Sequence, residues 1–308
     1  MSPSRASADT LLSRIEWTVI RRLDGLLQGD YRGLFRGIGI DLAGLRAYQP
    51  SDDVRSIDWN VTARLQEPYV RVYNEDREIT AWFLLDVSPS LDFGTSGRTK
   101  RQVAAELFAV ISRLLMRRGN RIGAMFFGGT DDRVVPAMGG RAHALSMLEL
   151  LLRRPALDRA PATSIRSAIE TATRVIRRRS VVFAISDFAS PVDWRHQLGV
   201  LARRNEVIFM RVVDPFEIEL PDAGILTLQD AETGERIQVD TGSRKLRNAF
   251  TALVAEQEAA MSAAMSAAGV DGLEISTRDD LIDTILRFAQ ARRLLAMTAE
   301  AAAPGRRT

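Results

Sequence analysis

The chain has 308 residues, of which 46% are hydrophobic and 26% are charged, and it contains no cysteine. This composition is typical of a folded globular protein, and the lack of cysteine excludes disulfides, thiolate nucleophiles, iron–sulfur clusters and Cys-based zinc sites. Histidine occurs only at positions 143 and 196, which also excludes a histidine-rich metal site. The net charge is only +3, and the basic residues are spread over most of the sequence, so we expect solvated arginine-rich faces rather than a nucleic-acid-binding surface.

The sequence has no apolar run long enough to cross a membrane and no signal-peptide pattern at its amino terminus. The absence of cysteine is compatible with a reducing compartment, where disulfides are unnecessary. We therefore expect a cytoplasmic protein without a membrane span.

Residues 1–78 are predicted to form an amino-terminal extension. Apolar residues at three- and four-residue steps predict an amphipathic helix over 11–27, and the segment 41–78 is dense in acids, arginines and aromatic residues. Tightly mixed charges of this kind form either an internal clamp or a surface that binds a partner. The candidate residues for either role are Asp53, Asp58, Trp59 and Arg64.

Residues 79–295 alternate between short apolar runs and amphipathic helical segments. Strands are predicted at 79–85, 121–127, 180–186, 206–213 and 273–276, and helices at 100–118, 142–152, 164–178, 244–268 and 281–295. This alternation predicts an α/β domain with a mainly parallel sheet and helices on both faces. A β-hairpin insertion is expected near 226–240, and residues 296–308 are expected to form a flexible tail.

Two of the predicted strands run directly into an aspartate, Asp86 and Asp187. The carboxyl ends of parallel strands are where ligands bind in open α/β sheets. After Asp86 the chain reads Asp-Val-Ser-Pro-Ser, and in an extended turn Asp86, Ser88 and Ser90 point to the same side. With Thr163 and Asp187, they predict an all-oxygen metal site suited to Mg²⁺, with Mn²⁺ or Ca²⁺ as alternatives. An open coordination position of such an ion accepts a carboxylate from another protein.

Other functions also fit parts of this pattern. An aspartate at a strand end beside Mg²⁺ is found in phosphatases and phosphotransfer enzymes, with Asp86 as the phosphoryl acceptor. Such sites usually carry a second acid two residues later, where this chain has Ser88. Lys100 is a candidate charge stabiliser, but it begins a helix and is expected to be solvated. Nucleic-acid binding would use the run Arg177–Arg179. The same run is also explained by the helix that it ends, because positive charge complements the dipole at a helix carboxyl end.

The motifs DVSPS, Thr163 and the aspartate of ISDF resemble the metal-ion-dependent adhesion site of von Willebrand factor A domains. The segments RAYQPSDDVRSIDWNVTAR, EDRE and ITAWFLLDVSPSLDFG resemble the DUF58 family, whose members are von Willebrand A-like. The resemblance continues through LARRNEVIFMRVVDPFEIELPDAG, TGERIQVDTGSRKLRNAF and the Gly-Val-Asp-Gly near 270, and so covers nearly all of the chain after about residue 30. The chain departs from the family pattern at Ser51, where glycine is usual, and at Ser164, where an acid is common.

The resemblance implies a von Willebrand A-like fold in which Asp86, Ser88, Ser90 and Thr163 hold Mg²⁺ directly or through water, and Asp187 acts mostly through water. It also implies a non-enzymatic, chaperone-like adaptor that works with a MoxR-type ATPase in the maturation or remodelling of a client protein. The client is expected to offer an acidic residue to the ion.

Overall fold

The structure is a computed structural model, and it describes residues 42–49, 52, 54, 57–73, 79–116, 119–130, 132–153 and 163–302. In chain order the elements are β1 (Leu42–Ala47), α1 (Trp59–Leu65), β2 (Tyr69–Tyr73), β3 (Thr80–Asp86), a 3₁₀ turn (Pro89–Asp92), α2 (Lys100–Met116), β4 (Arg121–Phe127), β5 (Arg133–Met138), α3 (Arg141–Arg153), α4 (Ile165–Val175), β6 (Val181–Ser186), α5 (Arg195–Ala202), β7 (Glu206–Val213), α6 (Pro215–Ile218), β8 (Ile225–Gln229), β9 (Arg236–Asp240), α7 (Arg244–Ala268), β10 (Asp271–Ser276) and α8 (Leu281–Ala302).

A six-stranded sheet in the order β10-β7-β6-β3-β4-β5 organises these elements. All neighbouring strands are parallel except β5, which runs antiparallel to β4. The chain moves from β3 to β4 on one side and later returns to β6 on the other side of β3. The strand order therefore reverses between β3 and β6, and this reversal opens a crevice at their carboxyl ends.

Both faces of the sheet are covered by helices, which explains why the central strands are apolar almost throughout. Alternate residues of β3 face opposite sides. Phe83 and its same-side neighbours pack with α2, α3 and α8, whereas Trp82 and Leu84 pack with α4, α5 and the carboxyl-terminal part of α7. On the first face, the Phe83 ring stacks on Phe183 at 5.1 Å and meets Phe108 edge-on at 4.8 Å. The predicted α/β fold, with a mainly parallel sheet and helices on both faces, is confirmed.

Strand β5 is an edge that the sequence analysis did not predict. It is short and mostly exposed, its pairing with β4 is irregular between Ile122 and Ala124, and it contains Pro136. Proline lacks an N–H donor and is tolerated in edge strands and at bulges. These features weaken the alternating apolar pattern by which strands are recognised.

The remaining elements follow the predicted order with a few shifts. Helix α7 and strands β4 and β7 begin and end where predicted, and β8 and β9 form the expected hairpin. Helix α8 continues past the predicted end at 295 to Ala302, because the sequence AMTAEAA is rich in strong helix formers. Strands β1 and β2 form a separate antiparallel ribbon. The helix predicted over 11–27 lies outside the described residues.

No helix in the described part of the chain combines the length and the apolar character needed to cross a bilayer.

Asp214 joins the loops at the carboxyl edge of the sheet. Its buried carboxylate accepts hydrogen bonds from Thr95 N at 2.8 Å, Thr95 Oγ1 at 2.7 Å, Thr277 Oγ1 at 2.8 Å and Phe216 N at 3.1 Å. Asp214 also begins α6 in a capping box with Glu217. The four hydrogen bonds connect the loop before α2 to the loops after β7 and β10, so Asp214 fixes the chain around the crevice.

Replacing Asp214 by alanine leaves these buried donors without an acceptor. We expect Asp214→Ala to lower the free energy of unfolding by roughly 2–4 kcal/mol, measured by urea denaturation. The control is Asp193→Ala, which removes an exposed carboxylate and should change stability by less than about 0.5 kcal/mol. Equal effects of the two substitutions would contradict the role assigned to Asp214.

Candidate metal centre

The candidate site lies in the crevice between the carboxyl ends of β3 and β6. Asp86 is the last residue of β3, and Asp187 follows the last residue of β6. Both carboxylates are buried, with 1% and 6% of their residues' surface exposed. The two strands therefore bring together the aspartates that the sequence analysis paired.

The turn after β3 places two hydroxyls beside Asp86. Asp86 Oδ1 accepts a hydrogen bond from Ser88 N at 2.8 Å, and Pro89 then begins a 3₁₀ turn for which Ser88 is the N-cap residue. Ser88 Oγ and Ser90 Oγ lie 2.9 Å apart, and Ser90 Oγ donates to Asp187 Oδ2 at 2.7 Å. Because a hydroxyl has one proton, Ser90 accepts from Ser88. The lone pairs of Ser88 Oγ remain available to a cation.

Thr163 completes the cluster from the chain that precedes α4. Its Oγ1 is buried and has no hydrogen-bond partner among the described residues. Gly128 brings it close to Asp86: a Cβ built on this glycine would lie 2.9 Å from Asp86 Oδ1, 3.1 Å from Thr163 Oγ1 and 3.2 Å from Ser88 Cβ. Gly128 also has a φ of +79°, which favours glycine. A buried hydroxyl without a partner, beside the same glycine as a carboxylate, is available to a cation.

The second oxygen of Asp86 is held by a residue that sequence reasoning missed. Ser186 Oγ donates to Asp86 Oδ2 at 2.6 Å and accepts from Phe188 N at 3.0 Å. Phe188 has a φ of +53°, an uncommon conformation for a residue with a bulky side chain. Its ring stacks on Phe209 at 4.5 Å, and this packing holds the turn in place.

Lys100 is the buried cation of the site. Its side chain is fully buried, and its Nζ donates to Asp187 Oδ2 at 2.7 Å and to Glu217 Oε1 at 2.5 Å. The expectation that Lys100 is solvated is therefore wrong, because its side chain reaches two carboxylates inside the protein, one after β6 and one in α6. One sequence signal was available: in an arginine-rich chain with two lysines, one lysine stands at this helix start.

These charges set the protonation of the two aspartates in opposite directions. Burial, with the nearby Asp187 carboxylate, raises the pKa of Asp86 to about 7, although hydrogen bonds from Ser186 and Ser88 act to lower it. Burial would also raise the pKa of Asp187, but the Lys100 ammonium holds it below its ordinary value. Burial would lower the pKa of Lys100, and the carboxylates of Asp187 and Glu217 raise it instead. Asp187 is thus neutralised by Lys100, and Asp86 has no cationic partner in this network.

The donor set fits a hard cation. Asp86 and Asp187 provide carboxylates and Ser88, Ser90 and Thr163 provide hydroxyls, all of which are oxygen ligands of the type that Mg²⁺ takes. In the described part of the chain, no three Asp, Glu, His or Cys side chains form a group that would hold a metal. The candidate centre therefore depends on its hydroxyls as much as on its acids.

The hairpin insertion reaches the same site. Thr163 N donates to the Glu232 carboxylate at 3.2 and 3.3 Å, and Glu232 lies in the turn between β8 and β9. Sequence reasoning predicted this hairpin but did not connect it with Thr163, which is 69 residues away.

The second group of candidate residues lies apart from this centre. Asp58 is buried at the start of α1, where its Oδ1 accepts from Val61 N at 3.3 Å, whereas Trp59 is 69% exposed. Arg64 belongs to α1, but its side chain and the whole of Asp53 lie outside the described residues. Burial of Asp58 fits the clamp and exposure of Trp59 fits the contact surface, so both alternatives stay predictions.

Comparison with known proteins identifies close relatives of this chain. The family model described as "Protein of unknown function DUF58" matches residues 44–260. The "Uncharacterized protein Rv1480" of Mycobacterium tuberculosis and the "Uncharacterized protein Mb1516" of Mycobacterium bovis are each 39% identical over 284 residues, which are 92% of this chain and 89% of theirs.

Among solved structures, the conserved hypothetical protein BatB from Bacteroides thetaiotaomicron is 17% identical. The match covers 71% of this chain and 99% of BatB, with a TM-score of 0.43. The SpRpn10 VWA domain is 15% identical, covering 68% of this chain and 94% of that domain, with a TM-score of 0.40. At these values we draw no functional conclusion from either structure.

The unbalanced charge of Asp86 predicts a stability change that depends on pH. Because its pKa is raised on folding, the unfolded chain binds fewer protons between pH 3.8 and about 7, and stability falls as the pH rises through this range. In EDTA at pH 8, we expect Asp86→Asn to raise the free energy of unfolding by about 1 kcal/mol or more, and to have little effect near pH 4. The control Asp187→Asn should destabilise, because it removes one of the two carboxylates that pair with Lys100. Destabilisation by both substitutions would contradict this assignment of charge.

Removal of Lys100 should destabilise the protein, because it takes away the cation that neutralises Asp187. Lys100→Met leaves Asp187 buried without its cation, and we expect a loss of roughly 3–5 kcal/mol in urea denaturation. The double variant Lys100→Met/Asp187→Asn removes both charges and should recover more than half of that loss. Lys245→Met, at the exposed second lysine, is the matched control. If the double variant is as unstable as Lys100→Met, the ion pair is not the cause.

Proposed function

We propose that this chain, a member of the DUF58 family with a von Willebrand A-like α/β fold, is a Mg²⁺-dependent protein-interaction module. Its candidate centre would bind an acidic side chain of a partner protein. The observation that carries this proposal is the buried Thr163 Oγ1, which lies beside the same glycine, Gly128, as the Asp86 carboxylate and has no partner among the described residues.

The residues that would hold the ion are Asp86, Ser88, Ser90, Thr163 and Asp187. A bound Mg²⁺ supplies a positively charged contact for a carboxylate. The protein's own groups provide the rest: Ser186 and Ser88 N fix the Asp86 carboxylate, and Lys100 fixes Asp187. Because these groups are hydrogen-bonded within the protein, the ligands are positioned before the ion arrives.

Accessibility supports recognition of a partner at this edge. Asp86 and Ser88 are buried, whereas Ser90 and Thr163 are half-buried and form the open side of the cluster. A partner carboxylate would approach from this side, next to the hairpin residue Glu232. Both oxygens of Asp86 already accept hydrogen bonds and the residue is 1% exposed, which favours holding a cation over nucleophilic attack on phosphate.

The family resemblance supports a choice of partner. We propose a MoxR-type ATPase as the partner and an adaptor role in the maturation or remodelling of a client protein. The acidic side chain that reaches the ion belongs to the ATPase or to its client.

A Mg²⁺ titration by calorimetry and thermal shift tests the metal. We expect the wild-type chain to bind and be stabilised, and we expect Asp86→Asn and Thr163→Val to lose at least about tenfold in affinity. Thr163→Val keeps the shape of the side chain and removes only the hydroxyl. Thr173→Val, on the exposed side of α4, is the control. Unchanged affinity in Thr163→Val would remove the basis of the proposal.

Substitutions at two glycines distinguish the effect of backbone strain from the effect of a side chain that enters the candidate centre. Gly119 has a φ of +76° and open space around it, whereas Gly128 has nearly the same φ and contacts Asp86 and Thr163. Gly128→Ala should therefore lose Mg²⁺ affinity and Gly119→Ala should not.

Binding to a MoxR-type ATPase from the same organism is then measured with Mg²⁺ and with EDTA. We expect Mg²⁺-dependent binding that Thr163→Val weakens; equal binding under all conditions would exclude the metal-dependent mechanism.

A further inference from the structure

We propose that the opposite end of the sheet carries a second binding site, an arginine-lined pocket that takes an acidic peptide segment of a partner protein. The pocket lies where β6, β7 and β10 begin and encloses about 720 Å³, a volume within the range of ligand-binding pockets. It is one strand length, roughly 20 Å, from the edge that carries Asp86 and Asp187. This proposal does not depend on the metal centre.

Five exposed arginines surround the pocket, three from the chain after α4 and two from the chain after α5: Arg177, Arg178, Arg179, Arg203 and Arg204. None of their guanidinium groups donates a hydrogen bond to, or forms a close ion pair with, a described residue. Five like charges around one cavity repel one another. An anionic ligand would relieve this repulsion and satisfy the guanidinium donors.

The floor of the pocket is fixed by ion pairs. Arg292, which is buried, pairs with Glu206 at 2.7 Å and with Asp271 at 2.8 Å, and its guanidinium lies 5.7 Å from the centre of the Phe288 ring. The acids of this pocket are therefore engaged by Arg292. Two acids against one arginine leave the floor with one negative charge, and Arg179 also interacts electrostatically with Glu206. The six arginines and two acids that line the pocket together carry a net charge of +4, so the pocket as a whole is strongly positive.

Helix dipoles alone do not explain so many arginines. Helices α4, α5 and α7 end at this pocket, and each carboxyl-terminal end carries roughly half a negative charge. One nearby cation would compensate each end. Five full charges exceed the need of the three helix ends, so most of the arginine charge has no structural partner.

The lining of the pocket selects among anions. None of the residues that line it is aromatic, so it offers no platform for stacking a nucleobase. Planar guanidinium groups form paired hydrogen bonds with carboxylates, and separate arginines can each bind one. These features favour a short segment that carries several Asp or Glu side chains.

The test uses the full chain and a fluorescein-labelled peptide of eight residues with alternating glutamate and glycine, followed by fluorescence anisotropy. The matched peptide carries glutamine in place of glutamate. We expect the acidic peptide to bind, with affinity that falls as salt rises, and the glutamine peptide not to bind. The variant Arg203→Gln/Arg204→Gln should bind at least about tenfold more weakly. The control is Arg195→Gln, at the other end of α5, and thermal melts verify that all variants fold.

The outcomes separate this site from the metal centre and from other ligands. If the acidic peptide binds equally in EDTA and in Mg²⁺, and equally to the wild-type chain and to Thr163→Val, the result supports a separate site. Equal loss in Arg195→Gln and in the double variant would overturn the proposal, because it would indicate unspecific charge attraction. The proposal would also be overturned if the acidic peptide did not bind. It would be overturned as well if pyrophosphate or single-stranded DNA displaced the labelled peptide at a lower concentration than the unlabelled acidic peptide does.

Discussion

Two buried carboxylates share the carboxyl edge of the sheet with a single buried ammonium, and the surrounding loops are arranged around this imbalance. Lys100 neutralises Asp187 and also reaches Glu217, which leaves Asp86 to be stabilised by hydrogen bonds alone. A buried carboxylate without a cation takes up a proton near neutral pH or attracts a positive ion. The end of β3 with its turn, the residue after β6 and the chain before α4 all supply oxygen atoms at this point, which is why the site fits a hard cation.

Much of this edge is predictable from sequence, because parallel strands covered on both faces have a strong signature. The apolar runs that end in Asp86 and Asp187 place both acids at one end of the sheet, and the two-residue spacing of Asp86, Ser88 and Ser90 places three oxygens on one side. The burial of Lys100 is not predictable from local pattern, because a lysine at a helix start is usually solvated and its partner Glu217 lies 117 residues away. The contacts of Gly128 and Ser186 likewise depend on which strands become neighbours.

The parallel sheet also gives the molecule two chemically different ends. Hydroxyls and carboxylates gather where the strands finish, and arginines gather where β6, β7 and β10 start. This separation follows from the topology, since helices return the chain from one end to the other and each connecting loop belongs to only one of them. A partner that contacts both ends has to extend along the side of the domain, whereas two partners can bind independently.

The irregular pairing and Pro136 of β5 have a consequence for how the protein behaves at high concentration. A regular edge strand presents a row of free N–H and C=O groups, on which a strand of another molecule can add and start a fibre. In β5 the proline removes one donor, the irregularity disturbs the spacing of the others, and Arg133 places a charge at the start of the strand. Growth of the sheet past β5 is therefore disfavoured, and the described edge resists amyloid-like aggregation when copies of the chain are crowded together.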